Sequence, residues 1–111
     1  MIHKMKLSPS PFALIKRGKK DIEMRLNDEK RRQVCVQDQI EFTNVESGES
    51  FIAVVVARHE YPSFDGLYTA FNKTRLGYLE DEIAHPSDMA QYYSEEEMRA
   101  CGVVGLEIRL L

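Results

Sequence analysis

The stretch GKKDIEMRL, residues 18–26, places charged side chains of both signs on alternate positions of a short segment. In an extended strand successive side chains point to opposite faces, so Glu23 and Arg25 would share one face, with Lys20 just ahead of them. Lysine and arginine bind anionic oxygens through charge-assisted hydrogen bonds. A carboxylate beside a lysine can also act as a general base, with the lysine stabilising the developing oxyanion. Lys20, Glu23 and Arg25 are therefore suited either to ligand binding or to hydrolysis.

Ion pairing gives the same residues a structural alternative. Glutamate and arginine two positions apart on a strand can be solvated neighbours that contribute little. Arg25 would also keep Glu23 ionised and lower its pKa, which weakens Glu23 as a base. Binding, catalysis by Lys20 and Glu23, and a structural ion network all stay open at this point.

Aromatic and basic residues elsewhere supply the other candidate ligand contacts. Single-stranded nucleic acid is bound by stacking on aromatic rings and by basic groups on the phosphates. We therefore expect Tyr78, Tyr92 and Tyr93 to face Lys19 and the charged strand across a cleft. Core packing is the alternative role of the Tyr92 and Tyr93 rings.

The charge distribution limits the class of partner. The net charge is −3, yet eight of the 15 basic residues lie between positions 16 and 32. An acidic total argues against a protein that grips long duplex DNA by its phosphates. The basic stretch leaves RNA or a nucleoside- or nucleotide-like small molecule as the expected partner.

Metal and cofactor chemistry has little support in the sequence. Cys35 and Cys101 are far apart, and the three histidines, His3, His59 and His85, show no ligand spacing. Zinc sites and disulfide frameworks require closer spacings. We expect no metal site, no cofactor and two buried free thiols.

The hydrophobic pattern places these residues on one α+β domain spanning 1–111. Alternation predicts strands near 1–7, 20–26, 39–44, 51–59 and 103–111. Short helices are expected before Gly18, after Ser63, and from Ser94 with its capping-box partner Glu97. Because most helices fall between the fourth and last strands, we expect a mixed sheet of about five strands curled into a small barrel. No apolar run is long enough for a signal or membrane segment, so a cytoplasmic location and no membrane partner are expected.

Gly18, Lys20, Glu23 and Arg25 spell G-x-K-x-x-E-x-R, which resembles the signature of the ASCH (ASC-1 homology) domain family. The likeness extends over PFALIKRGKKDIEMRLNDEKRR, VQDQIEFTN, EYPSFDGLY and MAQYYSEEEMRACGVVGLEIRLL. One departure is Gln37, where the family usually has a glycine that allows a tight turn. The resemblance implies a PUA-like barrel with Gly18 in its ligand-binding motif.

The same resemblance implies a link to RNA or nucleotides, and leaves three functions open. The first is binding of RNA, a nucleotide or a nucleoside in a polar cleft. The second is hydrolysis, as a ribonuclease or an N4-acetylcytidine amidohydrolase; the family branch with the latter activity has threonine where this chain has Glu23. The third is an adaptor that binds a protein partner. Whether residues 72–93 form a lid is also open.

Overall fold

The computed structural model describes residues 1–111 and contains one five-stranded mixed sheet. Its strands, in the spatial order β1-β3-β4-β5-β2, are β1 (Ile2–Leu7), β2 (Ile22–Leu26), β3 (Gln39–Asn44), β4 (Ser50–Tyr61) and β5 (Val103–Leu110). β1 and β3 are parallel, and the other neighbours are antiparallel. The sheet curls into a half-barrel with β1 and β2 as its two edges. The predicted α+β architecture is therefore confirmed.

Short helices connect the strands. They are α1 (Pro9–Lys16), α2 (Glu29–Arg32), α3 (Phe64–Ala70), α4 (Lys73–Leu76), a 3₁₀ helix (Pro86–Gln91) and α5 (Glu95–Cys101). The last four lie between β4 and β5, as predicted, and we call residues 62–102 the insertion. No helix has the length and apolar character needed to cross a membrane.

Two apolar clusters lie on opposite faces of the sheet. The inner cluster fills the half-barrel and includes Val104 and Leu106 of β5. The outer cluster lies under the insertion and includes Ile22 and Met24 of β2. Because side chains alternate along a strand, the outward packing of Ile22 and Met24 turns the intervening charged residues of β2 toward the barrel interior.

The charged strand is shorter than predicted. β2 begins at Ile22, whereas the alternation predicted a strand from residue 20. A strand from residue 20 would place Asp21 on the face of Glu23 and Arg25. The Asp21 carboxylate instead accepts two hydrogen bonds from Arg75, at 2.9 and 3.1 Å. Strand alternation cannot be extended to Asp21 because the residue lies ahead of the strand.

Several local predictions are confirmed by their hydrogen bonds. The Ser94–Glu97 capping box is present, with Ser94 N donating to Glu97 Oε1 at 3.0 Å and Glu97 N to Ser94 Oγ at 3.1 Å. Gly18, just beyond α1, has φ +75°, the left-handed conformation expected of a glycine that ends a helix. Helix ends and turns depend on adjacent residues, which is why the sequence predicts them well.

The turn before β3 is the one place where a residue other than glycine has positive φ. Gln37 has φ +79°, a conformation that costs an L-residue roughly 1–2 kcal/mol. The turn is held by Asp38, whose carboxylate accepts hydrogen bonds from Cys35 N at 3.0 Å and His3 at 2.8 Å. These contacts, first the Cys35 backbone bond and then His3, lower the pKa of Asp38 to about 2. The hydrogen bonds of Asp38 therefore stabilise a turn in which a glutamine has positive φ.

Gln37→Gly should raise the free energy of unfolding by about 1 kcal/mol, because it removes the left-handed strain. The matched control is Gln33→Gly, an exposed glutamine with φ −81°, where glycine should instead lower stability. Urea unfolding measures both. An equal decrease in the free energy of unfolding in the two variants would contradict the strain at Gln37.

Candidate functional site

Lys20 is a buried lysine held from two sides. Its side chain is 7% exposed, and its Nζ donates to Leu76 O at 2.8 Å and lies 3.3 Å from Glu23 Oε1. Gly77, which ends α4 with φ +113°, leaves room for the lysine stem, since a Cβ there would come within 3.0 Å of Lys20 Cδ. The end of α4 therefore packs directly on Lys20.

Glu23 and Arg25 extend this network to the other edge of the sheet. Arg25 Nε donates to Glu23 Oε2 at 2.7 Å, and Arg25 Nη2 donates to Lys6 O of β1 at 3.0 Å. Arg25 thereby spans the gap between the edge strands β1 and β2. We call Lys20, Glu23 and Arg25 the charged triad.

Glu23 is the electrostatic centre of the triad. Burial raises its pKa most, but Lys20 and Arg25 together outweigh burial, so that the pKa of Glu23 lies below its usual value. Each carboxylate oxygen already faces one cation. Glu23 is therefore an ionised acceptor that positions two cations and a poor candidate for taking up a proton.

The two cations retain unused donors. A lysine ammonium has three N–H donors and an arginine guanidinium five, whereas each of these side chains makes only two contacts to protein oxygens. The remaining donors can reach a ligand, because Lys20 and Arg25 both line a cleft.

This cleft has a volume of about 650 Å³ and lies between β2, the start of α1 and the insertion. The triad forms its floor. Polar and aromatic side chains form its walls: Lys6, Ser8, Ser10, Tyr68, Tyr78, Glu82, Asp88, Gln91, Tyr92 and Tyr93.

The three predicted tyrosines line the cleft in different ways. Tyr92 is 65% exposed, and its ring centroid lies 6.4 Å from that of Tyr93. Tyr93 stacks on Phe64, with ring centroids 6.0 Å apart and an interplanar angle of 17°, and it packs against the outer cluster. Tyr78 donates to Asp88 Oδ2 at 2.7 Å. Tyr93 is thus mainly a packing residue, while Tyr92 is the accessible one.

The cleft does not include every predicted site residue. Gly18 and Lys19 are exposed and lie outside its lining. Lys19 N and Lys20 N both donate to Leu14 O, at 2.9 and 3.2 Å, so this segment serves to turn the chain from α1 into β2. Tyr68 and Asp88 line the cleft but were missed. Tyr68 follows the apolar pattern of α3, and Asp88 is the capping-box partner of His85, which indicates a helix start and not a site. No three His, Cys, Asp or Glu side chains are grouped so as to hold a metal ion. The expected burial of the two thiols is wrong, since Cys35 is exposed and Cys101 is half-buried.

Comparisons with known proteins identify the family. The ASCH domain sequence profile matches residues 5–111. The chain belongs to the ASCH domain family. Its five-stranded mixed half-barrel is consistent with the PUA-like fold of ASCH domains. No curated protein sequence matches this ASCH domain.

Solved structures share the fold. The hypothetical protein PH0355 is 32% identical over the whole of both chains, with a TM-score of 0.84. Protein PF0455 from Pyrococcus furiosus is 34% identical over 100% of this chain and 98% of its own, with a TM-score of 0.72. The S128A mutant of the Zymomonas mobilis protein ZmASCH is 15% identical, over 97% of this chain and 67% of its own, with a TM-score of 0.68. At that identity the likeness to ZmASCH concerns the fold alone.

Glu23→Gln should destabilise this ASCH domain by about 3 kcal/mol or more, because it leaves two buried cations without their anion. Glu49→Gln is the matched control, since the Lys16–Glu49 pair is about half exposed and such pairs contribute at most about 1 kcal/mol. Urea unfolding at neutral pH measures both losses. Equal losses would show that Glu23 does not hold the triad together.

Acid should destabilise the wild type partly through Glu23. Its folded pKa is lowered, so the stability it provides is present above its unfolded pKa, about 4.3, and is lost as the pH falls through the folded value. Unfolding midpoints between pH 6 and pH 2 should therefore fall less steeply in Glu23→Gln than in the wild type. Parallel pH profiles would contradict this role of Glu23.

Proposed function

We propose that this ASCH domain binds RNA, or a nucleoside- or nucleotide-like ligand, in the cleft above the charged triad. The observation that carries this proposal is the pair of buried, pre-positioned cations at the cleft floor. Lys20 and Arg25 are 7% and 14% exposed in their side chains, yet both line the cleft and keep unused donors.

The floor suits an anionic or carbonyl oxygen. Two cations and one carboxylate give the triad a net positive charge, and charge-assisted hydrogen bonds are the strongest that such a ligand can receive. Because Glu23 already holds Lys20 and Arg25 in place, little side-chain freedom is lost on binding.

The walls suit a base and sugar. A volume of about 650 Å³ lies within the range of about 300–1,000 Å³ typical of small-molecule sites. The exposed ring of Tyr92 can stack on a base, as aromatic rings do in proteins that bind single strands. A nucleotide or one segment of single-stranded RNA fits these features better than a long duplex.

Binding has more support than the two alternatives. A hydrolytic role for Lys20 and Glu23 requires Glu23 to take a proton from water, but its lowered pKa and its two occupied oxygens oppose this. An adaptor is expected to display a large exposed apolar patch, whereas the cleft floor is charged.

The proposal is tested by isothermal titration with cytidine 5′-monophosphate and a short single-stranded RNA. Lys20→Met should weaken binding by about tenfold or more, the effect of losing one charge-assisted hydrogen bond. Tyr92→Ala, at an exposed position, should weaken binding by about fivefold or more. The matched control is Lys4→Met on β1, exposed and outside the cleft lining, which should bind like the wild type.

Thermal unfolding of each variant confirms that it is folded, and chromatography of the ligand after incubation distinguishes binding from hydrolysis. Unchanged affinity in both Lys20→Met and Tyr92→Ala, or no binding by the wild type, would refute the proposal. Product formed by the wild type and lost in Lys20→Met would instead favour the hydrolytic alternative.

A further inference from the structure

A chain of three oxygens runs along one wall of the cleft. Tyr68 Oη lies 2.6 Å from Tyr78 Oη, and Tyr78 Oη donates to Asp88 Oδ2 at 2.7 Å. All three residues line the cleft with the charged triad. Two oxygens this close require a hydrogen between them.

Each of the two tyrosine hydroxyls has one hydrogen, and this number fixes the direction of the two hydrogen bonds. The Tyr78 hydroxyl donates to Asp88 Oδ2, so its one hydrogen points to Asp88 and not to Tyr68. The contact between the two tyrosines must then use the hydrogen of Tyr68. Burial raises the pKa of Tyr78 and of Tyr68, so both phenols keep their hydrogens at neutral pH.

The consequence is that Tyr68 has no hydrogen left for a ligand. Its hydroxyl oxygen can only accept, and turning its hydrogen toward the cleft would leave two oxygens facing each other at 2.6 Å. Asp88 Oδ1, which accepts no hydrogen bond within the protein, adds a second acceptor to the same wall.

We propose that Tyr68, oriented by Tyr78 and Asp88, makes the cleft select a base that carries an exocyclic amino group over its keto counterpart. This inference rests on the proposed function and names the class of ligand. The floor offers donors from Lys20 and Arg25, whereas this wall offers acceptors. Cytosine complements both, since it carries a carbonyl oxygen and an amino group.

Uracil is the informative counterpart. It replaces the amino group with a carbonyl oxygen, which would meet the lone pairs of Tyr68 rather than a donor. A site built to pair one polar group rejects the analogue that lacks it, because its own polar atom is left unpaired. The preference should therefore depend on the Tyr68 hydroxyl and not on its ring.

The test compares the affinities of cytidine and uridine 5′-monophosphates by isothermal titration. The wild type should prefer the cytidine nucleotide by about tenfold, the effect of one hydrogen bond, and Tyr68→Phe should remove that preference while still binding both nucleotides. Asp88→Asn should reduce the preference for the cytidine nucleotide. The new amide can donate to the Tyr78 hydroxyl, which can then donate to Tyr68, so that the Tyr68 hydrogen becomes available to a ligand. Tyr61→Phe is the matched control, since Tyr61 lies on β4 outside the cleft lining and should keep the wild-type ratio.

The possible outcomes distinguish failure of this inference from failure of the proposed function. Equal wild-type affinities for the two nucleotides, or a preference that persists in Tyr68→Phe, would overturn the role of Tyr68 and leave nucleotide binding intact. Absence of binding to either nucleotide would overturn this inference, and absence of binding to the short single-stranded RNA as well would overturn the proposed function. Loss of the preference in Tyr61→Phe as well would show a general effect of removing a hydroxyl and would also overturn the inference.

Discussion

One buried carboxylate organises the site. Glu23 lies between Lys20 and Arg25 on an edge strand, where burial of unpaired charges would cost several kcal/mol. Lys20 in turn holds the end of α4 through Leu76 O, and Arg25 reaches Lys6 O on the far edge of the half-barrel. The ionised state of Glu23 therefore positions three segments that are distant in sequence.

This arrangement explains why the floor of the cleft is charged and yet rigid. A buried ion network is a weak source of stability compared with apolar packing, but it fixes cations before any ligand arrives. The stability of the sheet comes instead from the inner and outer apolar clusters. The fold is shared with structures as distant as 15% identity, so the fold by itself does not specify a function.

The sequence predicts the features that depend on neighbouring residues. Alternation identified the strands, the capping box identified α5, and the G-x-K-x-x-E-x-R motif brought Lys20, Glu23 and Arg25 to one place. Contacts between distant residues could not be predicted: Arg75 pairs with Asp21 across 54 positions, and Lys20 bonds to Leu76 across 56. Such contacts depend on how the insertion packs on β2, and local sequence patterns do not predict that packing.

The central claim is that ligand binds over the charged triad, and an NMR titration of ¹⁵N-labelled protein with cytidine 5′-monophosphate tests it most directly. Amide shifts should concentrate on β2, around Gly77 and along the 3₁₀ helix, which surround the cleft. They should be small in the β3–β4 hairpin, which contributes no lining residue. Shifts centred on that hairpin or on α2, or no shifts at all, would contradict the claim.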